Sequence, residues 1–135
     1  MRVIIAGGGT GGHLFPGIAI AEELKMRDPD TEVIFVGTEH GIEARVIPRE
    51  GYPIRFLAAE GLVGVSLVRK VRSIFKMFFS LFDSRRILKE VKPDIVIGVG
   101  GYASFGTALM ATLMSIPLMI VEQNSVPGLA NRLLG

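Results

Sequence analysis

Short apolar runs alternate along the chain with longer stretches in which apolar residues return every three or four positions. Val3–Ala6, Glu32–Val36, Ile54–Leu57, Asp94–Ile97 and Leu118–Val121 are the short runs, and their β-branched content predicts five strands. Between them the spacing predicts helices from about Pro16 to Arg27, over Glu39–Ile47, over Ser66–Val91 and over Ser104–Met114, with a last one opening at Gly128–Leu134. Pro16 suits a first helical turn, where its missing N–H is not needed. Pro48 is expected to close the second helix, and Gly51-Tyr52-Pro53 reads as a turn because Pro53 cannot donate to a central ladder. Strands and helices in strict alternation imply an α/β protein whose parallel sheet is covered on both faces. Right-handed crossovers then make it a doubly wound fold.

Ligands of such folds gather at the carboxyl ends of the strands. Those ends carry Gly7–His13, Gly98–Ser104 and Glu122–Asn124. Gly7-Gly8-Gly9-Thr10-Gly11-Gly12 satisfies G-x-G-x-x-G between a strand and a helix, where glycine permits tight turning and close approach to a ligand. A helix start behind it offers free N–H groups to a phosphate. One such loop is weak evidence, since a plain strand-to-helix turn has the same composition. Gly98-Val99-Gly100-Gly101-Tyr102-Ala103-Ser104 repeats the plan, and two glycine turns at neighbouring strand ends suit a diphosphate. A dinucleotide oxidoreductase is the competing reading, with Glu39 near the second strand's end as the ribose-binding acid.

Two readings stay open for His13, directly after the first loop. The imidazole could take a proton from a sugar hydroxyl, or it could cap the helix or touch phosphate with no proton transfer. His40 reads as a solvated surface residue. Glu122-Gln123-Asn124 puts three polar residues in a row at a strand end, which is costly unless they face a wet cleft or satisfy one another in a turn.

Composition and charge add a surface. The 135 residues fit one domain with its own core, and 49% of them are hydrophobic. With no cysteine there is no disulfide framework, thiolate metal site or cysteine nucleophile. The net charge is only +2, yet eight of the fifteen basic residues fall between Arg69 and Lys92. Within that stretch Ile74, Phe75, Met77, Phe78, Phe79, Leu81 and Phe82 would spread over roughly 200° of a helix, where docking on the sheet needs about 100°. The surplus is expected to be exposed, ringed by Arg69, Lys70, Arg72, Lys76, Arg85 and Arg86, as suits an anionic membrane surface. The alternative is a buried helix with solvated ends. Nucleic acid is disfavoured because the aromatics cluster rather than interleave with the cations. No signal peptide or bilayer-spanning run is visible, so a soluble or peripheral protein on the cytoplasmic side is expected.

Three ordered segments carry a resemblance that runs from end to end of the chain. Gly7–Gly17, Gly98–Tyr102 and Glu122–Arg132 (Glu-Gln-Asn-Ser-Val-Pro-Gly-Leu-Ala-Asn-Arg) are similar to the MurG family of bacterial cell-wall N-acetylglucosaminyltransferases. The resemblance implies one half of a GT-B fold, built of two Rossmann-like domains across a cleft. It implies an inverting transfer of N-acetylglucosamine from UDP-N-acetylglucosamine to an undecaprenyl-diphosphate-linked N-acetylmuramyl-pentapeptide, lipid I to lipid II, in peptidoglycan synthesis. That nucleotide sugar is a substrate; neither cofactor nor metal is implied. The acceptor C4 hydroxyl would displace UDP to leave a β-1,4 bond, at the cytoplasmic face of the plasma membrane. By the same resemblance, Thr10, Gly11, Gly12 and Asn124 would reach the donor, with Gln123 beside them. Gly100, Gly101 and Tyr102 would cradle the acceptor diphosphate, and His13 and Glu122 would serve as acid/base or positioning groups. Residues 1–135 would be the acceptor-side, membrane-associating domain. The family's C-terminal donor domain would be a required partner, and the chain alone is expected to be inactive. A membrane-docking subunit of a naturally split glycosyltransferase is the remaining alternative.

Overall fold

The computed structural model describes residues 1–58, 67–124 and 129–134. In chain order the elements are β1 (Arg2–Gly7), α1 (Gly11–Arg27), β2 (Glu32–Gly37), α2 (Glu43–Arg49), β3 (Ile54–Phe56), α3 (Leu67–Val91), β4 (Ile95–Gly100), α4 (Tyr102–Leu113), β5 (Leu118–Ile120) and α5 (Leu129–Leu134). All the strand pairs are parallel, in the order β3-β2-β1-β4-β5. This is the doubly wound, Rossmann-like sheet that the alternating pattern predicts.

Side chains of a strand point alternately to its two faces. Val3 and Ile5 of β1 therefore join Val33, Phe35, Ile97 and Val99 under Leu14, Ile18 and Ala21 of α1 and Ile47 of α2. Ile4 and Ala6 point the other way, with Val36 and Val96, and are covered by Ile87, Leu88 and Val91 of α3 and Ala103 and Ala111 of α4. Both faces are buried, which is why β1 and β4 read as unbroken apolar runs. Arg55 of β3 also hydrogen-bonds Glu90 of α3, and that bond holds the Glu90 carboxyl below its ordinary range.

Three boundaries differ from the sequence reading, and each difference bears on the site. The first helix starts at Gly11, so Pro16 lies inside α1 and not in its first turn. Glycine's poor helix propensity hid that start, and tertiary packing overrides it. The fourth strand runs on through Gly98-Val99-Gly100, leaving Gly101 alone as the N-cap of α4. Gly98 lies beneath Ser104, where an added Cβ would stand 2.6 Å from the Ser104 hydroxyl. The second helix begins only at Glu43 and carries Pro48 within it, because the residues before it wrap around the Glu43 side chain.

Candidate functional site: two glycine turns at the switch point

After β1 the chain moves outward to β2 and β3; after α3 it returns to the other side of β1 as β4. The crevice above the β1/β4 pair is therefore the topological switch point, where open α/β sheets bind ligands. Gly7 pairs with Gly100 in the register, and the Gly8 N–H donates to the Gly100 carbonyl at 3.3 Å. Gly101 has φ of +87° and lies so close to Gly8 that a Cβ on it would be 2.7 Å from the Gly8 carbonyl oxygen. The two glycine segments thus form one welded structure. The Gly8 amide is used in that weld, but Gly11 and Gly12 lie in the first turn of α1, whose N–H groups have no helical carbonyl to reach. Thr10 holds the N-cap in extended conformation without a side-chain capping bond, which leaves its hydroxyl for a ligand.

A carboxylate supports this loop from behind. Glu43 is 1% exposed. One of its oxygens accepts from the Gly9 N–H at 2.8 Å; the other accepts from the Thr38 N–H at 2.9 Å and the Thr38 hydroxyl at 3.2 Å. Gly8, Gly37 and Gly41 crowd it, so that a Cβ on any of them would collide with the Glu43 side chain. Glu43 thereby ties the glycine loop after β1 to the end of β2. The sequence reading missed it: the acid singled out near that strand end was Glu39, which is exposed.

An open cavity of about 450 Å³ lies above the weld, lined by Gly8, Gly9, Thr10, His13, Gly101, Tyr102 and Ala103 on one side and by Thr38, His40, Gly41 and Glu43 on the other. His40 is exposed, as the sequence suggests, and still contributes to the cavity wall. The ring of His13 rests against Gly100, where an added Cβ would fall 3.1 Å from its Cγ. Gln123 follows β5; its side-chain nitrogen donates to the Gly12 carbonyl and stands 3.2 Å from His13 Nδ1. Glu122 and Asn124 bond to each other: one Glu122 oxygen accepts from the Asn124 N–H at 3.0 Å and from its side-chain amide at 2.9 Å. Thr10, His13, Gly101 and Tyr102 thus meet at the cavity, with Gly11, Gly12, Gly100 and Gln123 directly behind. Glu122 and Asn124 stand at the adjoining strand end.

Residues 3–135 match the glycosyltransferase family 28 N-terminal domain. The chain belongs to this family. Over its whole length it is 57% identical to the UDP-N-acetylglucosamine--N-acetylmuramyl-(pentapeptide) pyrophosphoryl-undecaprenol N-acetylglucosamine transferase of Thermodesulfovibrio yellowstonii, of which it covers 37%. It is 53% identical to the enzyme of that name from Myxococcus xanthus, again over the whole chain and 35% of the relative. Among solved structures, 98% of the chain superposes on 37% of Acinetobacter baumannii MurG with a TM-score of 0.81 and 32% identity. Neisseria meningitidis UDP-GlcNAc 2-epimerase, 17% identical with a TM-score of 0.61 over 90% of this chain and 32% of that one, shares the fold. The chain spans little more than a third of the curated relatives it matches.

This family 28 domain carries a second feature, far from the cavity in sequence. Among the described residues of α3, the buried ones lie in its C-terminal half, at Ser80, Ser84, Ile87, Leu88 and Val91. Ile74, Phe75, Phe78, Phe79 and Phe82, along its first two-thirds, stand in solvent, with Phe78 57% and Phe82 68% exposed. Arg72, Arg85 and Arg86 are exposed beside them. The side chains of Arg69, Lys70 and Lys76, expected in the same ring, lie outside the described part. A shallow groove of about 360 Å³ at the end of the patch is lined by Phe82, Arg85, Arg86, Lys89 and Glu90. No helix among the described residues is long and apolar enough to cross a membrane.

Proposed function

We propose that residues 1–135 form the acceptor-side domain of an inverting transferase that moves N-acetylglucosamine from UDP-N-acetylglucosamine to an undecaprenyl-diphosphate-linked N-acetylmuramyl-pentapeptide. The observation that carries this reading is the weld of Gly8 to Gly100 and Gly101, with His13 against it and an open cavity above. The first-turn amides of Gly11 and Gly12 meet there with the N-terminal ends of two helices, an arrangement suited to a diphosphate. The lipid-linked acceptor lies with its diphosphate on the glycine turns. Its sugar C4 hydroxyl then attacks the anomeric carbon of the donor from the face opposite UDP. The new C–O bond forms as the bond to UDP breaks, the hydroxyl proton passes to a base, and UDP leaves with the electron pair. Thr10, Gly11, Gly12, Gln123 and Asn124 face the donor, which is held mainly by a C-terminal domain. The nucleotide sugar is a substrate, and no cofactor takes part.

The test joins this chain to the remaining length of the Thermodesulfovibrio yellowstonii relative and assays N-acetylglucosamine transfer to the lipid-diphosphate acceptor. Turnover by the fusion and none by the 135 residues alone is the expected result. A well-folded fusion that is inert while the unaltered relative works under the same conditions would overturn the proposal.

The α3 patch brings the domain to its lipid substrate. Apolar surface ringed by cations suits the head-group region of an anionic bilayer, each cation near such a surface contributing about 1 kcal/mol. The protein would then be peripheral, at the cytoplasmic face of the plasma membrane. Binding to vesicles containing phosphatidylglycerol is expected to weaken as salt rises. Phe78→Ser or Phe82→Ser should weaken it about tenfold or more, as expected for losing a buried aromatic. Vesicle binding that ignores both salt and these substitutions would exclude α3 as the docking surface.

A further inference from the structure

The interior position of Pro16 has a consequence at the site. In an α-helix residue i donates to the carbonyl of residue i−4. Pro16 has no N–H, so the Gly12 carbonyl loses its helical donor. The side-chain nitrogen of Gln123 takes that place, from 111 positions away. A carbonyl oxygen only accepts, so the Gln123 atom against it is the NH2 group and not the amide oxygen. That same nitrogen stands 3.2 Å from His13 Nδ1. An NH2 nitrogen only donates, so Nδ1 must accept. When Nδ1 of a neutral imidazole accepts, the ring proton is on Nε2.

We propose that Gln123 fixes the proton of the neutral His13 ring on Nε2, so that His13 meets its ligand as a hydrogen-bond donor to a phosphate oxygen and not as the base for the acceptor hydroxyl. The inference rests on the proposed transferase function for the identity of that ligand, but the tautomer itself does not. A base needs a free lone pair facing the hydroxyl. Here the Nδ1 lone pair is engaged by Gln123, and Nε2 carries hydrogen. The ring cannot readily move out of this arrangement, because it lies against Gly100 and Gln123 is held to Gly12. With the first-turn amides of Gly11 and Gly12, the Nε2–H completes a set of donors around an anion. Gln123 is in this sense a positioning residue. The sugar-hydroxyl proton must leave by another group.

Ring-nitrogen chemical shifts of the 15N-histidine-labelled chain test the tautomer, with His13 and His40 assigned through His13→Gln. At a pH where the ring is neutral, Nδ1 should resonate as an unprotonated nitrogen and Nε2 as a protonated one. Free imidazole leans the same way, so two variants decide the role of Gln123. Gln123→Ala should relax the bias, and Gln123→Glu, which offers Nδ1 an acceptor, should reverse it. A proton on Nδ1 in the wild type, or identical shifts in all three proteins, would overturn the proposal. In the fusion enzyme, His13→Gln keeps a side-chain donor but no basic nitrogen. It should retain kcat/KM about tenfold above His13→Ala, as one hydrogen bond to a charged oxygen implies. Equal loss in the two variants would mark His13 as a base. Inactivity of the fusion itself would remove the transferase reading and leave the spectroscopic result standing.

Discussion

Glu43→Gln is expected to destabilise the chain by about 3 kcal/mol, a fall in Tm of roughly 10 °C for a domain of this size. The substitution keeps the volume and removes only one acceptor oxygen. The two carboxylate oxygens face two backbone donors, Gly9 N–H on one side and Thr38 N–H on the other. A glutamine must set its NH2 group against one of them, whichever way it turns. The Thr38 hydroxyl can rotate to accept, but a backbone N–H cannot. A buried donor left unpaired costs about 1–3 kcal/mol, and the remaining bonds lose their charge assistance. Gly8, Gly37 and Gly41 surround the group so closely that it cannot swing aside. Thermal denaturation gives the stability, and hydrogen exchange at the Gly9 amide gives the location, since its protection should fall more than that of β1. A variant melting within about two degrees of wild type, with the Gly9 amide still protected, would show that the carboxylate is not what holds the loop.

Much of this fold can be read from the residues because the burial pattern is simple. Val3-Ile4-Ile5-Ala6 faces helices on both sides, so its continuous apolarity is a direct report of a central strand. The meeting of the glycine segments was legible for the same reason: both follow strands, and strand ends of one sheet share an edge. The aromatic surplus around Phe78 could also be counted, since a helix docked on one face has no use for 200° of apolar surface. Glu43 was not legible. It stands among Glu39 and Arg45 in a stretch that looks like an ordinary solvated helix, and its partners lie 5 and 34 positions away. The local signal was its glycine neighbours: Gly37 and Gly41 flank a span that turns around a side chain, and both lack the Cβ that would strike it. The link from Gln123 to Gly12 was not legible. Read as the start of its helix, Pro16 leaves no carbonyl short of a donor; only the true start at Gly11 exposes the Gly12 carbonyl, and only the sheet order shows that the end of β5 can reach it.

Gly101→Ala is expected to cost about 4 kcal/mol, near the upper end of single-substitution effects. Two penalties coincide there. Gly101 has φ of +87° and ψ of 177°, a region that is essentially glycine's alone, and strain of this kind costs about 1–3 kcal/mol. The new methyl would also stand 2.7 Å from the Gly8 carbonyl oxygen. That oxygen belongs to backbone already held by the bond from Gly8 N–H to Gly100, so no side-chain rotation relieves the contact. Overpacking against a rigid neighbour costs a further ~1–3 kcal/mol. Gly51→Ala separates the two effects. Gly51 has nearly the same φ, +84°, but nothing lies within 4 Å of its added Cβ, so only the dihedral cost of about 1–2 kcal/mol applies. Urea titrations of both variants should therefore show midpoints well apart, with Gly101→Ala the lower. In the fusion enzyme the same alanine pries the glycine turns apart beneath His13, and transfer should fall at least about 100-fold while Gly51→Ala stays near wild type. Equal midpoints would mean that Gly8 yields freely to the methyl. The two turns would then be neighbours without being joined, and the diphosphate seat proposed above would lose its rigid floor.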